Sequence, residues 1–368
     1  MRDVGLIVKV TRLCNLRCTY CYDWRSGPDQ RMPFEVAARM TAAALTDPEH
    51  RAVEFLWHGG EPTLIPIRYF EKVMAVQARF RRPGQPIVNS IHTNALHVSD
   101  AWIDFFRRYA WQVGISVDGP REVHDGQRVD AAGRPTLERA LRGYDKLRAE
   151  GLGVGVISVV DRKTLALGPD ALFDFMEEVG IRDYGINFAM PEPQPHAPPG
   201  TRVDHYITTK ERTEFLIGLY DRWRTQGDPD IEIREIATVR QRLAKTRGGS
   251  LPCTFAGNCF GNLYTVEANG DVNHCCYLLG DPRYRWGNIM HEDFADIRRS
   301  PNMSAIVAER GEEEASLQQC SEVEVCRGGC PMETYMAARH DPEPPGGCCG
   351  QADFIRHVRA HPAAAGRP

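Results

Sequence analysis

The chain has 368 residues, 42% of them hydrophobic, with a formal net charge of −4. This supports one large α/β domain plus a smaller one and excludes a disordered chain. The near-neutral charge offers no general attraction to nucleic acid or anionic lipid. No apolar run approaches the roughly 20 residues a membrane span needs, and the N-terminus lacks a signal-peptide core. We therefore expect a soluble cytoplasmic protein with neither nucleic acid nor membrane as partner. Twelve cysteines in such a chain point to metal or cluster ligation rather than disulfides, because a reducing cytosol disfavours the latter.

In chain order, six β-branched or apolar runs alternate with helix-periodic segments: "GLIVKV" (5–10), "AVEFLW" (52–57), "PIVNSIHT" (86–93), "WQVGISV" (111–117), "VGVISVV" (154–160) and "YGINFAM" (184–190). Leu137, Ala140, Leu141, Tyr144 and Leu147 mark one intervening helix, and Leu172, Phe175, Met176 and Val179 another. Repeated strand–helix units imply a parallel sheet with right-handed crossovers. Six units predict an α/β fold, a partial (β/α)6 TIM-like barrel with functional residues at the C-terminal strand ends. "PEPQPHAPPG" (191–200) follows as a loop over the barrel mouth or a linker. Helices are expected near 209–226 and 236–247, the second leading into a cysteine-rich region. We place the domains at 1–235 and 236–368.

Directly after the first run stands "CNLRCTYC", with Cys14, Cys18 and Cys21 and no nearby fourth ligand. Three thiolates complete neither a tetrahedral zinc site nor a four-iron cluster, so an open coordination position is the interesting possibility. The second run ends in "WHGGEP", the third in "HTNA", and the fourth in "GISVDGP" followed by "HDGQR". Gly59 and Gly60 permit close backbone approach to a ligand, and Glu61 offers acceptors.

The CxxxCxxC triplet and this series of strand-end motifs resemble the radical SAM superfamily. The resemblance implies a [4Fe–4S] cluster on Cys14, Cys18 and Cys21 whose open iron chelates S-adenosylmethionine (SAM). One electron then yields methionine and a 5′-deoxyadenosyl radical that abstracts hydrogen, while the protein orients the reactants. It also implies cofactor contacts from Tyr20, Gly59, Gly60, Glu61, Pro62, Asn94, Ser116 and Arg128, and a reductant such as flavodoxin or ferredoxin.

Residues 253–349 resemble the SPASM domain, which binds auxiliary [4Fe–4S] clusters. Its first element is met by Cys259, Gly270 and Cys275, and its second by Cys320, Cys326 and Cys330 with a final cysteine at Cys348 or Cys349. By the family's ligation, Cys253, Cys259, Cys275 and Cys330 hold the first auxiliary cluster completely. The second keeps Cys320, Cys326 and Cys348, because Leu317 occupies the remaining cysteine position. Three outcomes stay open: this cluster is absent, it has an open iron, or Cys349 supplies the missing thiolate.

Within this group the chain resembles the anaerobic sulfatase-maturating enzymes, which oxidise a peptidyl cysteine or serine to formylglycine. Those enzymes place a catalytic aspartate where Cys276 stands here, in "NHCCYL". Cys276 could act as hydrogen-atom donor, as base, or as a substitute ligand for Cys275. Tyr277 and His274 could move protons or electrons, and we take Cys276 and Tyr277 as the candidate catalytic residues. The expected function is a radical SAM oxidoreductase acting on a peptide or protein residue, giving dehydrogenation, a carbonyl or a cross-link. The alternative is an epimerase or dehydrogenase of a peptide or of a small molecule such as a sugar or aminocyclitol, with Cys276 as donor. A non-enzymatic zinc or cluster carrier would need neither the GGEP segment nor a barrel.

Overall fold

A computed structural model describes residues 1–21, 30–190, 206–246, 253–255, 257, 259–279 and 281–363. All six expected strands are present: β1 (Arg2–Thr11), β2 (His50–Gly59), β3 (Ile87–Thr93), β4 (Gln112–Ser116), β5 (Val154–Val160) and β6 (Asp183–Phe188). They pair in parallel and in sequence order, with β1 beside β2 and β5 beside β6, so the barrel stays open. The stretch 191–200 lies outside the described residues.

The strands are rich in β-branched residues because helices cover the outer face of a parallel sheet while the inner face lines the barrel. Leu6, Val8, Val10, Phe55 and Trp57 are fully buried. Helices Ile67–Phe80 and Asp100–Tyr109 pack on the outside through rings: Trp57 meets Phe70 edge-on at 5.4 Å, and Phe105 meets Trp111 at 4.9 Å. Such pairs add roughly 1 kcal/mol each beyond their burial.

The sheet extends past the six barrel strands on both sides. β7 (Glu232–Ile233) adds in parallel to β6. On the other edge β8 (Leu263–Val266) pairs in parallel with β1, and β9 (Asp271–Asn273) and β10 (Arg285–Asn288) follow antiparallel. The cysteine-rich region is thus joined to the barrel by one continuous ten-stranded sheet. An ion pair between Arg12 and Glu267 ties it to the cysteine loop after β1. The two later helices run Thr209–Gln226 and Arg234–Leu243, so the division expected after residue 235 falls inside the second helix.

Candidate active site at the barrel mouth

The loop carrying Cys14, Cys18 and Cys21 is held from both sides by backbone. On one side Gly60 N–H donates to Thr11 O at 2.7 Å and Glu61 N–H to Leu13 O at 2.8 Å. On the other, Thr19 N–H donates to Gln127 O at 3.0 Å and Arg17 N–H to Val129 O at 2.8 Å. The first contact explains both glycines. Gly59 has φ +122°, and a Cβ there would lie 2.2 Å from Thr11 O; one on Gly60 would lie 2.3 Å from Leu13 O. The close approach these glycines allow is to the cysteine loop's own backbone.

Glu61 is 1% exposed and accepts four hydrogen bonds. Oε1 takes Thr63 N–H at 3.0 Å, Thr63 Oγ1–H at 2.6 Å and Thr93 Oγ1–H at 2.7 Å, and Oε2 takes Asn94 N–H at 2.8 Å. The carboxylate therefore clamps the end of β2 to the end of β3. Neither Glu61 nor Pro62, which opens a 3-10 turn behind it, lines the cavity at the barrel mouth. Protein donors reach both Glu61 oxygens, Oε2 through the single Asn94 N–H, and Pro62 is buried in the turn.

The other site candidates in the barrel meet at this cavity of about 170 Å³. Cys14, Cys18, Cys21 and Tyr20 come from the loop after β1, and Gly59 and Gly60 from the end of β2. Asn94 follows β3, Ser116 ends β4, and Arg128 follows the short helix Arg121–Gln127. Cys276 and Tyr277, more than 140 residues further along, face the same space.

Beneath Tyr20 lies a buried polar group that the sequence reading missed. Tyr20 OH donates to Asp118 Oδ2 at 2.6 Å and receives Arg128 Nη1–H, while Asp118 Oδ1 accepts Val159 N–H at 3.2 Å. Burial raises the Asp118 carboxyl against the opposing Arg128 charge. Burial also raises Tyr20, so the phenol keeps its proton and donates it. The aspartate sits inside the quoted "GISVDGP"; a buried acid next to a turn glycine was the available signal.

His58 and His92 were also missed. Their rings stack at 5.6 Å on the cavity wall. His58 Nδ1 accepts Gly59 N–H at 2.7 Å and lies 3.2 Å from the buried Lys9 Nζ, which assigns the ring proton to Nε2. His92 Nε2 meets Ser116 Oγ at 2.9 Å. Burial lowers both histidines, His92 to about 4, so both are neutral near pH 7.

Behind Cys276 the cysteines of the C-terminal region form two groups. Cys259 and Cys330 both interact electrostatically with Cys253, Cys330 also with Cys259, and Cys275 with Cys330. Cys275 is hydrogen-bonded to Cys276. The adjacent pair thus has one thiol among the four candidate ligands and the next at the cavity wall. Cys320, Cys326, Cys348 and Cys349 make the second group.

The donors fit iron–sulfur clusters. Three thiols face one cavity, and the buried Asn15 Nδ2 beside Cys14 has no protein acceptor. Among the described residues no three His, Cys, Asp or Glu converge closely enough to hold a single metal ion. In a cubane cluster each thiolate takes a different iron, so its ligands stand further apart. Among the described residues no helix is long and apolar enough to cross a membrane.

Comparison with known proteins agrees with this arrangement. Residues 8–165 match the radical SAM superfamily, and residues 253–331 match the SPASM iron–sulfur cluster-binding domain. The chain is 26% identical to a serine-type anaerobic sulfatase-maturating enzyme of Bacteroides thetaiotaomicron, over 96% of this chain and 88% of that protein. It is 25% identical to a cysteine-type enzyme of Clostridium perfringens, over 90% of this chain and 89% of that one. The fold matches native anSMEcpe with bound AdoMet, with a TM-score of 0.82, 22% identity and 97% of each chain covered. It also matches Streptococcus suis SuiB bound to precursor peptide SuiA, with a TM-score of 0.63 and 16% identity over 94% of this chain and 76% of that one. The cofactors are accordingly SAM and iron–sulfur clusters. The chain carries a radical SAM domain and a C-terminal SPASM domain and is an oxidoreductase related to the anaerobic sulfatase-maturating enzymes.

Proposed function

We propose that this enzyme oxidises a residue of a peptide or protein, and that the Cys275–Cys276 pair couples the substrate to the first auxiliary cluster. The observation that carries the reading is that Cys276 lines the cavity shared with Cys14, Cys18 and Cys21, while Cys275 belongs to the group with Cys253, Cys259 and Cys330. Bound SAM and its cluster supply a radical able to abstract a hydrogen atom. Cys14, Cys18 and Cys21 would hold that cluster, with Asn94, Ser116, Arg128 and the backbone at Gly59 and Gly60 placing the cofactor. Tyr20, fixed between Asp118 and Arg128, orients the wall beside the triplet. After abstraction the substrate carries one electron and one proton too many for a closed-shell product. The Cys276 sulfur accepts that proton as thiolate; Cys275, with Cys253, Cys259 and Cys330, would hold a cluster that would supply an acceptor for the electron. The sulfur replaces the aspartate expected at this position in sulfatase maturation, so formylglycine is not the favoured product. Peptide or protein substrates are supported by the sulfatase-maturating relatives. A flavodoxin or ferredoxin reductant and a cytoplasmic setting, with no nucleic acid or membrane partner, complete the reading.

A second reading draws on the same thiol. Cys276 could donate a hydrogen atom to the substrate radical, and return of hydrogen from the opposite face would be epimerisation. The test is the mass of a candidate peptide encoded beside the gene after anaerobic co-expression. Loss of two hydrogens supports oxidation. An unchanged mass in ordinary water with one deuterium gained in heavy water supports epimerisation. An untouched peptide with continued 5′-deoxyadenosine release moves the reading toward a small-molecule substrate.

A further inference from the structure

We propose that Cys320, Cys326, Cys348 and Cys349 together hold a second auxiliary [4Fe–4S] cluster with no open iron, Cys349 supplying the thiolate that Leu317 cannot. Cys320 Sγ lies 3.9 Å from Cys348 Sγ. The Cys349 thiol interacts directly with both Cys326 and Cys348, which closes a chain of four sulfurs from 320 through 348 and 349 to 326. The backbone is arranged for thiolates at this place. Gly328 N–H donates to Cys326 Sγ at 3.4 Å and Gly350 N–H to Cys348 Sγ at 3.3 Å, the kind of outer contact that orients a metal ligand.

Two further contacts explain how the ligand moved. Leu317 closes the helix Pro301–Leu317, is 5% exposed, and packs its Cδ1 3.1 Å from the point a Cβ on Gly328 would occupy. This position is therefore given to the apolar core. Gly329, at φ +69°, has no Cβ where one would stand 2.8 Å from Cys349 Cβ and 3.2 Å from its Sγ. The glycine lets the 348–349 turn come against the 326–330 turn. Cys320 and Cys326 lie within the residues matched to an iron–sulfur cluster-binding domain, which favours a cluster over a zinc ion held by four thiolates.

The test is iron, sulfide and zinc content of the full chain purified without oxygen in a C14A/C18A/C21A background, which removes the SAM cluster. About eight irons and eight sulfides per chain are expected from two auxiliary clusters. C349A should lower both to about four, and L317C/C349A should restore them. Rescue separates ligand loss from misfolding, because the added thiol returns at the vacated position. A content near four irons before mutation, zinc in place of iron, or an iron content unmoved by C349A would each overturn the proposal. Electron–nuclear double resonance of the reduced background protein in oxygen-17 water supplies a check without mutating the site. No water-derived coupling is expected; a water-bound iron would contradict four thiolate ligands.

Discussion

The barrel mouth and the cysteine-rich C-terminal region both hold thiols, yet they place them by different means. At the mouth the ligand loop is short and local, and backbone hydrogen bonds to Gly60, Glu61, Gln127 and Val129 set its path. In the C-terminal region each group draws its thiols from several turns, up to 77 residues apart between Cys253 and Cys330. The first arrangement depends on backbone fit, so single side-chain atoms added there should be costly. The second depends on which turns pack together, so it tolerates the exchange of one ligand position for another.

The largest expected effect breaks the barrel side. Glu61→Ala strands Thr63 N–H, both threonine hydroxyls and Asn94 N–H in a buried space. At about 1–3 kcal/mol per unsatisfied group, partly offset by relaxation, the loss should exceed about 3 kcal/mol. Anaerobic urea unfolding measures it, and a loss below about 1 kcal/mol would show that the clamp is dispensable. Next, Gly60→Ala forces Leu13 O away from a Cβ drawn 2.3 Å distant. We expect about 1–3 kcal/mol of destabilisation from the overpacking and at least about a tenfold weaker SAM affinity as the loop shifts. Auxiliary iron content should not change in this variant. If it falls as well, the two regions are not independent.

Asp118→Asn comes third. It keeps the shape but exchanges an acceptor pair for an amide beside Arg128, leaving a buried charge uncompensated. About 1–3 kcal/mol should be lost, visible in the same unfolding assay, with tyrosine-specific spectroscopy reporting a freed Tyr20. The smallest effect, taken per pH unit, is a pH dependence. His92 titrates at about 4 in the fold against roughly 6.5 unfolded. Its folded value is depressed, so the unfolded chain binds the proton first as pH falls. Stability is therefore complete above about 6.5 and declines toward about 4, by at most about 1.4 kcal/mol per pH unit. His92→Gln should reduce that slope without abolishing it, because His58 is lowered as well; an unchanged slope would assign the pH dependence elsewhere.

The barrel was legible because its signals are local. Each strand is a run of β-branched residues bounded by turn glycines, and each motif follows its strand directly, so order along the sequence is order along the sheet. The strands β8, β9 and β10, of three or four residues, gave no such run. Their place is decided by the free edge of β1, which pairs with Leu263–Val266 from more than 250 residues away. Glu61 was legible as a motif and not as a clamp, because its partners Thr93 and Asn94 belong to the next strand. Cys349 is the same lesson in the other region. Its spacing alone left three outcomes open, and only the fold places it beside Cys326 and against Gly329.

The cavity at the barrel mouth is assigned as the place where SAM is cleaved. Its most direct test is 5′-deoxyadenosine formation by the anaerobically purified, dithionite-reduced protein given SAM, compared with C14A/C18A/C21A that retains its auxiliary iron. Steady 5′-deoxyadenosine release is expected from the parent chain and none from the triple variant. Equal release from both, or none from a parent chain carrying its full iron content, would contradict it.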